Sequence, residues 1–405
     1  MRPFMYMRPA SWTWVAAVLA VSLVSAACSS GLAESVTQSA NDSVERDEAR
    51  AALQKNAEFA TRAWPTDWTN STVELSELVL AVGASEPRDA IPPLDAPLYE
   101  SPEAAAEWML DREPGVLLQL NGDVRFFPLS ILTRHEIVND EIGGVAISVT
   151  FCPLCNSAVA FERRVDGEVL RFGVSGLLRN NDLVMWDDRS VSLWQQATGE
   201  AIVGDFAGTE LDMAPTSIVS FGDFRAGFPD GVSLSRDTGF DLSYGRNPYE
   251  GLSGRFAPLI LFERNRDGRY FAMERVVGVS VGDVHKAYPF SVLVESPVVN
   301  DRVGDRDLVV FWGSPDTADA LNRSQVADGR PIGSALVLDP VVDGRKLTFS
   351  VEGERFIDTE TGSVWTILGQ ALDGPLAGAQ LETITHRNDF WFAWTQFYPE
   401  TLVHD

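Results

Sequence analysis

The sequence predicts a mainly β protein with some helix (α+β), built from two degenerate copies of one β-rich unit packed together. Three observations predict it. Short runs at residues 116–120, 146–151, 169–174, 335–338 and 347–351 alternate with the period of two that a half-buried strand requires. Gly, Asp and Asn punctuate them, as turns between strands demand. The third observation is a loose internal repeat. Phe127-Pro128-Leu129-Ser130-Ile131-Leu132 returns as Tyr288-Pro289-Phe290-Ser291-Val292-Leu293, and Asn139-Asp140 returns as Asn300-Asp301, at one offset of 161. Ser192-Leu193-Trp194 returns as Ser363-Val364-Trp365 at 171, and Gly208, Leu211, Phe224 and Pro229 fall opposite Gly378, Leu381, Trp394 and Pro399 at 170.

Residues 1–27 read as an export signal: Arg2 and Arg8 precede an apolar run over residues 12–24 and the small residues Ser25-Ala26-Ala27. Cys28 follows directly. The pattern resembles the lipobox of bacterial lipoproteins, in which Cys28 would be diacylated and become the mature N-terminus; the plainer alternative is a signal peptide cut near Ala27. No later apolar run is long enough to span a membrane. Residues 28–60, rich in Ala, Ser, Glu, Asp and Gln, read as a lipid-anchored tether whose end, residues 48–62, favours helix. The expected place is a bacterial membrane, on the side away from the cytoplasm, with the membrane as partner through the anchor.

Folding is expected from about Trp64. Residues 61–276 form an N-terminal region with the first repeat unit, and residues 277–405 a second, cysteine-free unit. Ser101 as N-cap, Pro102 in the first turn and Glu103 beside it predict a helix running to Leu110. At 405 residues and 45% hydrophobic content the chain can bury a sizeable core. Beyond residue 27 there are 30 basic residues against 58 acidic ones, which makes nucleic acid and anionic headgroups poor partners. A small-molecule or protein partner stays open.

Cys152 and Cys155 are the only cysteines beyond Cys28. They follow a strand-like run, and thiols at this spacing close on each other, exchange with a partner disulfide, or ligate one soft metal ion. Export permits a disulfide, so a local staple is the competing reading. The repeat serves as a control. At an offset of 161, Cys152 falls on Gly313, Cys155 on Asp316 and His135 on Ser296; at 171, Met185 falls on Phe356. The offset grows by 10 between the two matches, so the second copy carries extra residues and Leu178-Arg179-Asn180-Asn181-Asp182 has no clear counterpart. A unit that can be built without these residues does not need them for its shape.

If Gly143-Gly144 is a two-residue turn, Cys152 lies opposite His135, close enough for a shared ion; a turn at Asn139-Asp140, or a helix through His135, removes that contact. The candidate metal or redox set is therefore Cys152, Cys155, His135 and Met185, and a Cys2His set suits Cu(I) or Zn(II). For His135 the plain reading is a satisfied surface or core histidine, and for Met185 core packing. The rival site is a ligand pocket lined by Arg179, Asn180, Asp182, Trp194 and Gln195, with the cysteines as a staple. A cysteine-nucleophile hydrolase would have only His135 as base. No GxSxG, P-loop, HExxH or dinucleotide fingerprint is present.

His135-Glu136-Ile137-Val138-Asn139-Asp140, Phe151-Cys152-Pro153-Leu154-Cys155-Asn156-Ser157, Phe172-Gly173-Val174-Ser175-Gly176-Leu177-Leu178, Ser192-Leu193-Trp194-Gln195-Gln196-Ala197-Thr198-Gly199-Glu200 and Tyr244-Gly245-Arg246-Asn247-Pro248-Tyr249 resemble the family catalogued as domain of unknown function 3179. The resemblance covers roughly residues 91–281. It implies an exported bacterial or archaeal protein, often a lipoprotein, and brings no catalytic residue with it.

Overall fold

Turn chemistry fixes the hairpins. Asn121-Gly122, Gly143-Gly144, Asp166-Gly167, Asn180-Asn181 and Asp343-Gly344 each place both residues at positive φ, the turn geometry that matches the right-handed twist of paired strands. The computed structural model describes residues 48, 50–254, 267–353 and 355–405. The export segment 1–27, Cys28 and most of the expected tether lie outside the described residues.

A helix α1 over residues 50–61, placed by the sequence at the end of the tether, buries Ala57 and Thr61 against the folded chain. Then come β1 (Val79–Leu80), β2 (Tyr99–Glu100) and α2 (Pro102–Ala105). Ser101 caps α2 through its side chain, with Pro at the first turn, but the helix ends at Ala105 and does not reach Leu110. Glu113 Oε1 takes the Leu110 N–H at 3.0 Å and Glu100 Oε1 takes Trp108 Nε1 at 2.9 Å, so side chains hold this stretch as turns.

The first half continues with β3 (Pro114–Leu120), β4 (Asp123–Pro128), α3 (Leu129–His135), β5 (Ile137–Ile142), β6 (Val145–Cys152), β7 (Ser157–Glu162), β8 (Arg164–Val165), β9 (Glu168–Val169), β10 (Phe172–Arg179), β11 (Asp182–Asp187), β12 (Leu193–Gln195), β13 (Ala201–Val203), β14 (Met213–Ala214), β15 (Thr216–Ser220), α4 (Phe221–Gly227) and β16 (Val232–Leu234). The second half has β17 (Arg275–Val281), β18 (Val284–Pro289), α5 (Phe290–Leu293), β19 (Val298–Val303), β20 (Arg306–Gly313), β21 (Ser334–Leu338), β22 (Val341–Val342), β23 (Arg345–Lys346), β24 (Phe349–Glu352), β25 (Arg355–Asp358), β26 (Val364–Trp365), β27 (Ala371–Asp373), β28 (Arg387–Phe390), α6 (Trp391–Phe397) and β29 (Leu402–Val403). The protein is thus mainly β with a few short helices.

Strand orders run in step. The order β15-β3-β4-β16 in one sheet is matched by β28-β17-β18-β29 in another, and β10-β11-β12-β13 by β24-β25-β26-β27. In the first matched pair of sheets the last strand joins in parallel, β16 on β4 and β29 on β18. Trp194 Nε1 donates to Asp187 and Trp365 Nε1 to Asp358, each at 2.9 Å.

The length difference arises in two places. Four residues, 153–156, link β6 to β7, whereas residues 314–333 link β20 to β21. The hairpin β10–β11, by contrast, is the longer one: Phe172 pairs with Asp187 in the first half, and Phe349 with Asp358 in the second. The tip carrying Asn180, Asn181 and Asp182 is an extension of that hairpin. Among the described residues no helix is long and apolar enough to cross a membrane.

Candidate functional site

Strand β6 delivers Cys152 at its last position, opposite Ser157 of β7. The tight turn after it is closed by the Cys155 N–H donating to the Cys152 carbonyl at 3.2 Å, and Asn156 completes it at φ 55°. Pro153 supplies the fixed φ that such a turn uses. Both sulfurs therefore face the same way. They are free thiols, buried at 2% and 1% exposure, and both donate toward the Asn181 carbonyl, Cys155 at 3.4 Å and Cys152 at 3.9 Å.

The third member comes from the extended hairpin. Asn180 and Asn181 form its two-residue turn, and the next residue, Asp182, is fully buried. One ligand atom from each of Cys152, Cys155 and Asp182 lies within 4.8 Å of the other two. Asp182 Oδ2 accepts from Gln195 Nε2 at 2.6 Å and from the Ala197 N–H at 2.8 Å. Its Oδ1 is buried with no hydrogen-bond partner among the described residues.

Burial sets the protonation. It pushes the Cys152 thiol up and the Cys155 thiol well up, and raises the Asp182 carboxyl to about 6 despite Arg387 nearby. Two neutral thiols in an apolar interior are poor nucleophiles and poor exchange partners. A cation of the right size would change that balance by replacing their protons.

Second-half residues close the site. The Phe390 N–H donates to the Cys155 carbonyl at 2.8 Å. Arg387 Nη1 donates to the Ala197 carbonyl at 2.6 Å and pairs with Asp389 at 2.6 Å, both side chains being at most 4% exposed. Burial pulls the Arg387 guanidinium down, but Asp389, Tyr398 and Asp182 outweigh it and its pKa rises. Asn156 is held by Arg275 Nη1 at 2.5 Å, and Arg275 in turn pairs with Asp319 at 2.6 Å. Arg387 and Asp389 were not among the sequence candidates, which, Cys28 apart, all lie between residues 135 and 195. The signal was there: at the offset of 170, Asn388 and Asp389 replace Ile218 and Val219 in a strand buried throughout.

His135 lies elsewhere. The Gly143-Gly144 register is as expected, with Ile137 opposite Thr150, but β5 begins at Ile137 and His135 ends helix α3. Glu136 at φ 59° turns the chain between them. The His135 ring spans Pro92 O at 2.7 Å and the Tyr244 hydroxyl at 2.6 Å, so both nitrogens are engaged. Met185 is fully buried between Val174 and Trp194 in the sheet.

Among the described residues, the contacts of the five expected pocket residues run in different directions. Arg179 pairs with Glu77 at 2.7 Å and reaches Gln195 Oε1 at 3.3 Å. Asn180 is spent on the turn, Trp194 on Asp187, and Gln195 on Asp182. Of the five, Asp182 is brought to the sulfurs.

A family model described as "Protein of unknown function (DUF3179)" matches residues 88–401. This reaches well past the motifs that suggested the likeness and takes in both halves. No curated protein and no solved structure matches.

Proposed function

The chain belongs to the DUF3179 family of proteins of unknown function, and from that premise we propose that it is an exported, lipid-anchored metal-binding protein whose Cys152, Cys155 and Asp182 hold one Zn(II). The observation that carries the reading is the orphaned Asp182 Oδ1, fully buried beside two buried thiols, with all three ligand atoms inside 4.8 Å. A buried carboxylate oxygen without a partner costs free energy that a cation would recover. Thiolate with carboxylate suits Zn(II), since Cu(I) favours all-sulfur surroundings. Two thiolates and a carboxylate around a dication leave one negative charge, and Arg387 lies close enough to offset it.

The thiol-exchange reading is weaker, because the sulfurs are sealed and their protons are held tightly. Matched strand orders support reading the chain as one unit used twice, with the metal set kept in one copy. Export and the anchor at Cys28 rest on the N-terminal sequence pattern. Metal content and free-thiol count of the purified full chain test the proposal together. One zinc per chain and two thiols released by chelation are expected, with the zinc absent from Cys152→Ser and Cys155→Ser. A metal-free protein with a Cys152–Cys155 disulfide would overturn it.

A further inference from the structure

Beside the sulfur site lies a cavity of about 310 Å³, room for about ten water-sized groups. Leu53 of α1, Val174 and Leu177 of β10, Leu183 of β11, Met273 and Phe392 supply apolar walls. Neither cysteine lines it, although Leu154 and Asn181, whose carbonyl both thiols face, do. Three polar side chains break the apolar lining: Glu136, Tyr249 and Asn181. The Tyr249 hydroxyl donates to Glu136 Oε1 at 2.7 Å. Glu136 Oε2 and the Asn181 side-chain amide take no hydrogen bond among the described residues.

We propose that this cavity binds an uncharged, chain-like apolar molecule whose hydroxyl or carbonyl end is received by Glu136 and Asn181. A pocket of this size, mainly apolar with a few polar groups gathered on its wall, is the usual form of a small-molecule site. The backbone gives a second sign. Glu136 holds the left-handed conformation, φ 59°, which non-glycine residues avoid, and such strain gathers at functional positions. A charged end would lose its hydration in a mainly apolar cavity, where Glu136 already receives Tyr249 and is the one carboxyl among the described lining residues.

Calorimetric titration of the full-length chain with n-hexanol through n-decanol tests this. Affinity should rise about fourfold per added methylene, the factor that corresponds to burying each one, and stop rising when the chain fills the cavity. Val82, half-buried, also lines the cavity; Val82→Trp should fill it and abolish binding without unfolding the protein, and Glu136→Leu should erase the preference for octanol over octane. Absence of saturable binding, or binding untouched by Val82→Trp, overturns the proposal, as does tighter binding of n-octylamine than of octanol. The parent chain stripped of zinc by a chelator should bind octanol as before; octanol bound by a chain that never held zinc sinks only the metal reading, and zinc held by a chain that binds no octanol sinks only this one.

Discussion

Asp182 is held through one oxygen alone, and that asymmetry defines its role. Gln195 and the Ala197 N–H fix Oδ2, which orients the carboxylate as outer partners orient metal ligands generally. Asp182→Asn should therefore lose zinc while keeping the fold, and Gln195→Leu should weaken zinc by about 10–100-fold, both read by competition with a chromogenic chelator. A second buried group works through pH. Burial lowers His386 to about 4, and its Nδ1 donates to the Ile384 carbonyl at 2.7 Å. The neutral ring is the form that the fold accepts, so its contribution is complete above about pH 6.5 and drains away as pH falls toward 4. The loss is on the order of 3 kcal/mol. Glu136 and Asp182, raised by burial to about 7 and about 6, titrate in the opposite sense over the same range, so the difference between parent and His386→Phe in denaturant melts between pH 7 and 4 should show the histidine's slope.

At the scale of elements, hairpins were readable and helices less so. Period-two alternation with Gly143-Gly144 between the runs is local information, so the register of β5 and β6 followed from sequence. What sequence could not show was where β5 starts. Residues 129–135 bury six of their seven side chains, and tertiary packing rather than propensity makes them helical. Asp182 was readable as a polar residue in an apolar run, but its approach to the sulfurs depends on the turn at Asn180-Asn181 and on the docking of two hairpins, neither encoded in spacing. That turn gives a direct test. Asn tolerates positive φ and Ala does not, so Asn180→Ala with Asn181→Ala should cost roughly 1–2 kcal/mol in chemical denaturation and weaken zinc by moving the Asp182 backbone. Replacing both with Gly should leave stability and zinc intact, because Gly accepts the same φ at no steric cost.

Across the whole molecule, the site is a property of both halves. The first half contributes the sulfurs and carboxylate; β28 of the second contributes Arg387, Asp389 and the N–H that holds the Cys155 carbonyl. Arg387→Met should therefore destabilise the protein by roughly 3–5 kcal/mol, the cost of stranding a buried acid. Adding Asp389→Leu should restore most of it, as thermal or urea unfolding would show. Residues 1–276 alone should fail to give a cooperative transition, since Cys155, Asn156 and Ala197 lose their second-half partners. X-ray absorption at the zinc edge of the purified full chain bears most directly on the metal centre. Two sulfur ligands at about 2.3 Å with oxygen at about 2.0–2.2 Å are predicted, with the bound-zinc signal lost in Cys155→Ser. Zinc ringed by nitrogen and oxygen alone, unchanged by that substitution, would contradict the account.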